Sequence, residues 1–192
     1  ILVLLDTHMR LDASQLSPLL EGLLRRLMYV SAQDHEASQT LSKQLNAVVL
    51  RILSMSHGDD VYQALFSLLV STTADVAAGD QAQLAELVVK CLWKVARKLP
   101  AALEAKQVHA EALLRSVEGF FEAIPPSEWA QRAQKHVPLR DIPLITATNV
   151  LKQLTDTLGE GALAATDAWT EPEKTHVYRY LLRLLHLSLI HI

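Results

Sequence analysis

Leu84-Ala85-Glu86-Leu87-Val88-Val89-Lys90-Cys91-Leu92-Trp93-Lys94-Val95-Ala96-Arg97-Lys98-Leu99-Pro100 is the most informative stretch of the chain. Leu84, Leu87, Val88, Cys91, Leu92, Val95 and Leu99 recur at three- and four-residue steps. That period lays one apolar stripe along a helix. Pro100 lacks an N–H and is expected to end the helix. At about 100° per residue, Trp93 falls nearly opposite the centre of the stripe, with Lys90, Arg97 and Lys94 around it.

The same period recurs on both sides. Helices are expected over about 16–30, 39–53, 61–70, 104–124 and Ile142–Leu158, with a last one beginning at Thr170-Glu171-Pro172-Glu173. In 39–53 the inward residues are Leu41, Leu45, Val48, Val49, Ile52 and Leu53. The expected start and stop signals are Ser17-Pro18 before the first helix, Gly58 as a C-cap, and Asp59 or Asp60 as an N-cap. Pro125-Pro126 and Gly159-Glu160-Gly161 read as stops, and Thr170 with Glu173 as a capping box. A short helix is expected near 128–135 inside the 125–143 insert. No segment reads as a strand. The second helices of successive pairs centre near Val49, Leu92 and Leu151, about 43 and 59 residues apart. The first interval lies within the HEAT/armadillo range of about 40–47, and the insert stretches the second. The expected fold is therefore all-α, a HEAT-like α-solenoid of about three helix pairs plus a C-terminal helix. An irregular helical bundle is the alternative.

Composition agrees. Half of the 192 residues are hydrophobic, only 5% are aromatic, and Gly and Pro number 6 and 7. This favours helices over strands. The net charge of −3 lacks the basic footprint of a nucleic-acid binder, and no apolar run is long enough to span a membrane. The single cysteine, Cys91, permits no internal disulfide and fits a reducing cytosol. The expected boundaries are 1–12 as the tail of a preceding helix and 13–187 as the domain. Residues 188–192 read as a tail, either native or translated adapter sequence.

No catalytic or cofactor site is expected. The eight histidines are scattered, and no HExxH occurs. Glu173-x-x-His176 has di-iron spacing but lacks the second pair and the extra carboxylates such a site needs. Cys91 lies in an apolar stripe, where cysteines are inert. Gly159-Glu160-Gly161 follows a helix and lacks the Lys of a phosphate loop. What remains is a surface. Trp93 among Lys90, Lys94 and Arg97 suits an acidic, partly apolar partner; alternatively, Trp93 is core between helical layers. Trp129 and Trp169 read as packing plugs or as contacts. Lys135, His136 and Arg140 make the insert mildly basic. The segments 31–36 and 74–81 carry acids and no base, which would repel acidic tubulin.

Three segments resemble the TOG-domain microtubule polymerase family. Leu45-Asn46-Ala47-Val48-Val49-Leu50-Arg51-Ile52-Leu53 is similar to the family's LNVLMLRIL helix. The stretch from Leu84 to Pro100 resembles its F-x-E-L-V-x-K-C-L-W-x-x-x-R-L-L-P. Pro138-Leu139-Arg140, with a helix ending at Leu158-Gly159, resembles a third segment. All three belong to the family's C-terminal, divergent TOG-like domain. Residues 142–144 and Gly159-Glu160-Gly161 depart from the pattern. The resemblance implies a non-enzymatic docking module for acidic coiled-coil adaptors of the transforming acidic coiled-coil type. It further implies localisation in the cytoplasm on the microtubule cytoskeleton, at plus ends, centrosomes and spindle poles. Tubulin contact would come mostly from domains outside this chain. A direct tubulin-binding TOG domain and a generic α-solenoid scaffold are the other readings. The partner residues expected are Lys90, Trp93, Lys94, Arg97 and Arg140.

Overall fold

The computed structural model describes residues 11–33, 35–74, 79–135 and 137–189, with side chains as far as 186. Expectations about 1–10 and 190–192 lie outside these residues. Ten α-helices form the described chain: α1 Ala13–Ser31, α2 Glu36–Met55, α3 Gly58–Thr73, α4 Asp80–Ala96, α5 Leu99–Glu104, α6 Ala110–Ala123, α7 Pro126–Gln134, α8 Ile142–Leu158, α9 Gly161–Ala164 and α10 His176–Leu189. A 3-10 turn spans Pro172–Lys174, and no strand occurs among the described residues.

The fold is all-α and solenoid-like. Helices pair as α1 with α2, α3 with α4, and α8 with α10. Successive layers stack through α1 on α3, α3 on α6 and α4 on α8, and α10 closes the stack on α6 and α8. One continuous core runs through it, from Leu20 and Leu65 to Leu92, Phe120, Leu154 and Leu181. In α4 the apolar stripe is buried at Leu84, Val88, Cys91 and Leu92, and Ala85, Val89 and Ala96 widen it. Leu87 and Val95 are half-buried.

Several local signals act differently from their sequence reading. α1 begins at Ala13, not at Ser17-Pro18. Asp12 and Gln15 form a reciprocal capping box, with the Gln15 N–H donating to Asp12 Oδ1 at 3.0 Å. Pro18 then sits inside the second turn. Leu41 is exposed, and Leu45 and Val48 are only half-buried, so the inward face of α2 is fully covered only at Val49, Ile52 and Leu53. α4 stops at Ala96, and Pro100 opens α5 in its first turn, where a missing N–H costs nothing. The expected 104–124 helix is broken: α5 ends at Glu104 and α6 starts at Ala110. Between them Lys106 takes a left-handed φ of 54°, and Val108 N–H turns back to the Ala102 carbonyl. The Thr170–Glu173 capping box does not form. Glu171 is itself left-handed there, and α10 starts six residues later than Thr170.

Gly58 is not a C-cap either. It is the first residue of α3, and its N–H donates to the Gln107 carbonyl at 3.0 Å. A Cβ at this position would lie 2.3 Å from Val108 Cγ2 and 2.6 Å from the Gln107 oxygen. Glycine is required because two backbones touch here. Gly58→Ala is therefore expected to lower unfolding stability by about 1–3 kcal/mol through overpacking. A urea midpoint equal to the parent's would contradict this close approach.

Candidate functional site

The helix period turns Glu86, Lys90, Trp93, Lys94, Arg97 and Lys98 of α4 and its C-terminal turn outward on one face. Four of the five expected partner residues thus share one exposed surface. Lys90 is held by Glu86 one turn earlier, Nζ to Oε1 at 2.7 Å. No described residue gives Lys94, Arg97 or Lys98 an ion pair. Their charges are open to a partner.

Trp93 combines the two readings left open by the sequence. It is 42% exposed. Its indole N–H donates to Thr146 Oγ1 of α8 at 3.0 Å, and that hydroxyl donates to the Ile142 carbonyl at 2.8 Å. The side chain therefore bridges two helical layers and still offers a ring face to solvent. The relay fixes its rotamer, which lowers the ordering cost of any contact it makes. Ile142 and Ile145, 36% and 45% exposed, flank Thr146 in the first turns of α8. The sequence reading placed these isoleucines only in a helix. With Trp93 they give the face an apolar centre.

Arg140 lies apart from α4, in the connection that leads into α8, two residues before Ile142. It is exposed. Leu139 and Arg140 both have left-handed φ, at 64° and 46°. Two consecutive non-glycine residues in that region store strain of about 1–3 kcal/mol each. The turn is closed by Arg140 N–H to the Val137 carbonyl and Ile142 N–H to the Leu139 carbonyl, both at 2.9 Å.

Beside the face, α2, α3, α4 and α5 enclose a pocket of about 190 Å³. Its walls include Leu53, Val61, Tyr62 and Val108, with Lys94 and Lys98 among the lining residues. The Tyr62 hydroxyl is buried and has no hydrogen-bond partner among the described residues. Burial alone pushes its phenol well above the usual value. Lys94 belongs to both the pocket and the exposed face, so the two are continuous.

The remaining candidates fall inside the fold. Trp129 is 1% exposed and stacks on Phe120. Trp169 is buried under the Arg115 guanidinium, 5.0 Å from its ring centroid. Burial pushes the Cys91 thiol up to about 11, which leaves it protonated at neutral pH. Glu173 sits in the 3-10 turn and His176 opens α10, so the two do not share a helix. His136, Asp34 of segment 31–36 and residues 75–78 of segment 74–81 lie outside the described residues. No helix among the described residues is long and apolar enough to cross a membrane. No protein-family model matches the chain, and no solved structure matches it.

Proposed function

We propose that this chain is a protein-docking module whose Trp93 face takes an acidic coiled-coil segment of an adaptor protein. The observation that carries the reading is a half-exposed tryptophan, locked by a hydrogen bond, beside two exposed isoleucines and three exposed cations that no described residue pairs. Apolar centres with charged rims form productive interfaces, and Trp and Arg are the residues most often energetic in them. An acidic helix with apolar residues at heptad spacing complements both parts. The adjoining pocket would accept one apolar side chain of that partner. The three segments that resemble the C-terminal domain of TOG-family microtubule polymerases set this chemistry in a context. The module would localise a microtubule polymerase to plus ends, centrosomes and spindle poles through an adaptor of the transforming acidic coiled-coil type. No catalysis and no cofactor are assigned to it.

The test is titration of the intact chain with an acidic coiled coil of that type, alongside sedimentation with free tubulin. Trp93→Ala with Arg97→Glu is expected to weaken adaptor binding by about 30-fold or more, the effect of losing a hot spot of roughly 2 kcal/mol. Parent affinity should also fall with added salt, since the rim charges are exposed. Unchanged affinity in a folded double variant would remove the face from the interface. Stoichiometric tubulin capture without adaptor binding would make the chain a tubulin-binding TOG domain instead.

A further inference from the structure

We propose that His57, Asp59 and His109 form a binding site for a divalent transition-metal ion, with zinc the best match. His57 and Asp59 stand two positions apart, and His109, 50 residues after Asp59, joins them where the start of α3 touches the segment before α6. Two backbone features bring them together. Gly58 N–H donates to the Gln107 carbonyl at 3.0 Å, a contact only glycine permits. His109 N–H donates to Asp59 Oδ1 at 2.8 Å.

That second bond occupies one carboxylate oxygen and aims the other. Asp59 Oδ2 lies 2.6 Å from His109 Nδ1 and 3.7 Å from His57 Nδ1. The two imidazoles are stacked, with centroids 5.9 Å apart and planes 20° from parallel. One ligand atom from each residue falls within 4.8 Å of the other two. A proton can join Oδ2 to only one imidazole. His57 is beyond hydrogen-bond distance, and no described residue hydrogen-bonds its ring. A divalent cation that replaces the shared proton, with the His109 and His57 rings turned to open the 2.6 Å contact and close the longer ones, would take all three donors at about 2.0–2.2 Å.

The donor set selects the ion. Two imidazole nitrogens and one carboxylate oxygen suit zinc and its first-row neighbours, and are too nitrogen-rich for calcium or magnesium. The His109 side chain is 62% exposed, so water can reach the fourth tetrahedral position. The backbone N–H on Oδ1 is the outer partner that fixes a ligating carboxylate. Neither His57 nor His109 belongs to the Trp93 face, so this site stands independently of the docking reading. A bound ion would clamp α3 to the segment before α6, joining successive layers of the stack.

The experiment is calorimetric titration of the intact chain with zinc chloride, and with cobalt chloride read by visible absorption. The comparisons are His57→Ala/His109→Ala, Asp59→Asn, and Cys91→Ser as a control. The parent is expected to take up about one equivalent at metal concentrations on the order of micromolar, with tetrahedral cobalt bands and a raised melting temperature. The double variant should lose that event, Asp59→Asn should weaken it, and Cys91→Ser should keep it. The remaining histidines are common to every chain, so the difference reports this cluster. Circular dichroism confirms that each variant is folded, and Asp59→Asn keeps the side-chain shape should the double variant fail to fold. No saturable uptake by the parent, or equal uptake by parent and Asp59→Asn, would overturn the site.

Discussion

Trp129→Ala is expected to destabilise the chain by about 3–5 kcal/mol, the cost of emptying a buried aromatic site in a packed core. Trp129 is 1% exposed, and its ring lies 5.7 Å from Phe120. Phe120 in turn meets Phe66 of α3 and Phe121. The indole is thus the end of an aromatic chain that ties α7 to α6 and α3. It also supports a buried cation. The Arg132 guanidinium sits 4.8 Å over the ring, donates to the carbonyls of Thr73 and Ala74 at the end of α3, and pairs with Glu128. Those carbonyls are the orphans every helix leaves at its C-terminus, and Arg132 satisfies them. Removing the ring therefore opens a void beneath a charge that must stay dry. Trp129→Phe separates the contributions. The indole N–H has no partner among the described residues, so its loss leaves none of them unpaired. The phenylalanine variant is expected to cost only about 1 kcal/mol, in line with a modest loss of buried area. Urea unfolding followed by circular dichroism measures both. A phenylalanine variant as damaged as the alanine one would show that the indole nitrogen, not the ring, matters.

The elements whose cause is local were readable from sequence. α4 and α8 carry an uninterrupted apolar period, and Gly159 takes the left-handed φ of 56° that ends α8. The short helix expected near 128–135 is α7, which begins two residues earlier, at Pro126, and ends at Gln134. What escaped were features made by contact. No Gly or Pro marks the break between α5 and α6; the turn at Lys106 exists because the chain must fold back to bring Val108 and His109 against α3. Gly58 looked like a helix end because glycine is usual there. Its real constraint is a backbone about fifty positions later.

The candidate site divides along the same line. The outward turn of Lys90, Trp93, Lys94 and Arg97 follows from helix geometry alone, so the sequence located it. The Thr146 hydroxyl that locks the indole and the two isoleucines beside it come from another helix pair, and no periodicity within α4 reveals them. Arg132 was not singled out in the sequence at all; in the fold it is a buried tie between α7 and α3. The His57–Asp59–His109 cluster was invisible for the same reason, since the sequence showed only scattered histidines.

Glu118→Ala should release the C-terminal helix from the stack. Glu118 is only 7% exposed and makes no ion pair with a described residue. Its two oxygens accept the His176 N–H at 2.9 Å and the Val177 N–H at 2.7 Å, the first amides of α10. A carboxylate of α6 thus performs, from 58 residues away, the capping that Thr170 and Glu173 do not. It meets the positive end of the helix, where a negative charge is favoured. Removing it leaves one buried and one part-buried donor unpaired, a loss of roughly 2–4 kcal/mol for charge-assisted bonds. In a solenoid each layer is held mainly by its neighbour, so the loss should concentrate in the last layer and leave the rest intact. The expected signature is faster amide exchange and earlier proteolytic cutting across α10, with the Phe121–Tyr180 stack, 5.3 Å between centroids, opening alongside. α4, which packs on α8 rather than α10, should keep its protection. Glu118→Gln retains one acceptor oxygen and loses the charge, so about half of the effect is expected. Uniform acceleration of exchange from α1 to α10 would show that the carboxylate holds up the whole stack. Unchanged protection of α10 would show that its apolar face, with Val177 and Leu181 buried, is sufficient without a cap.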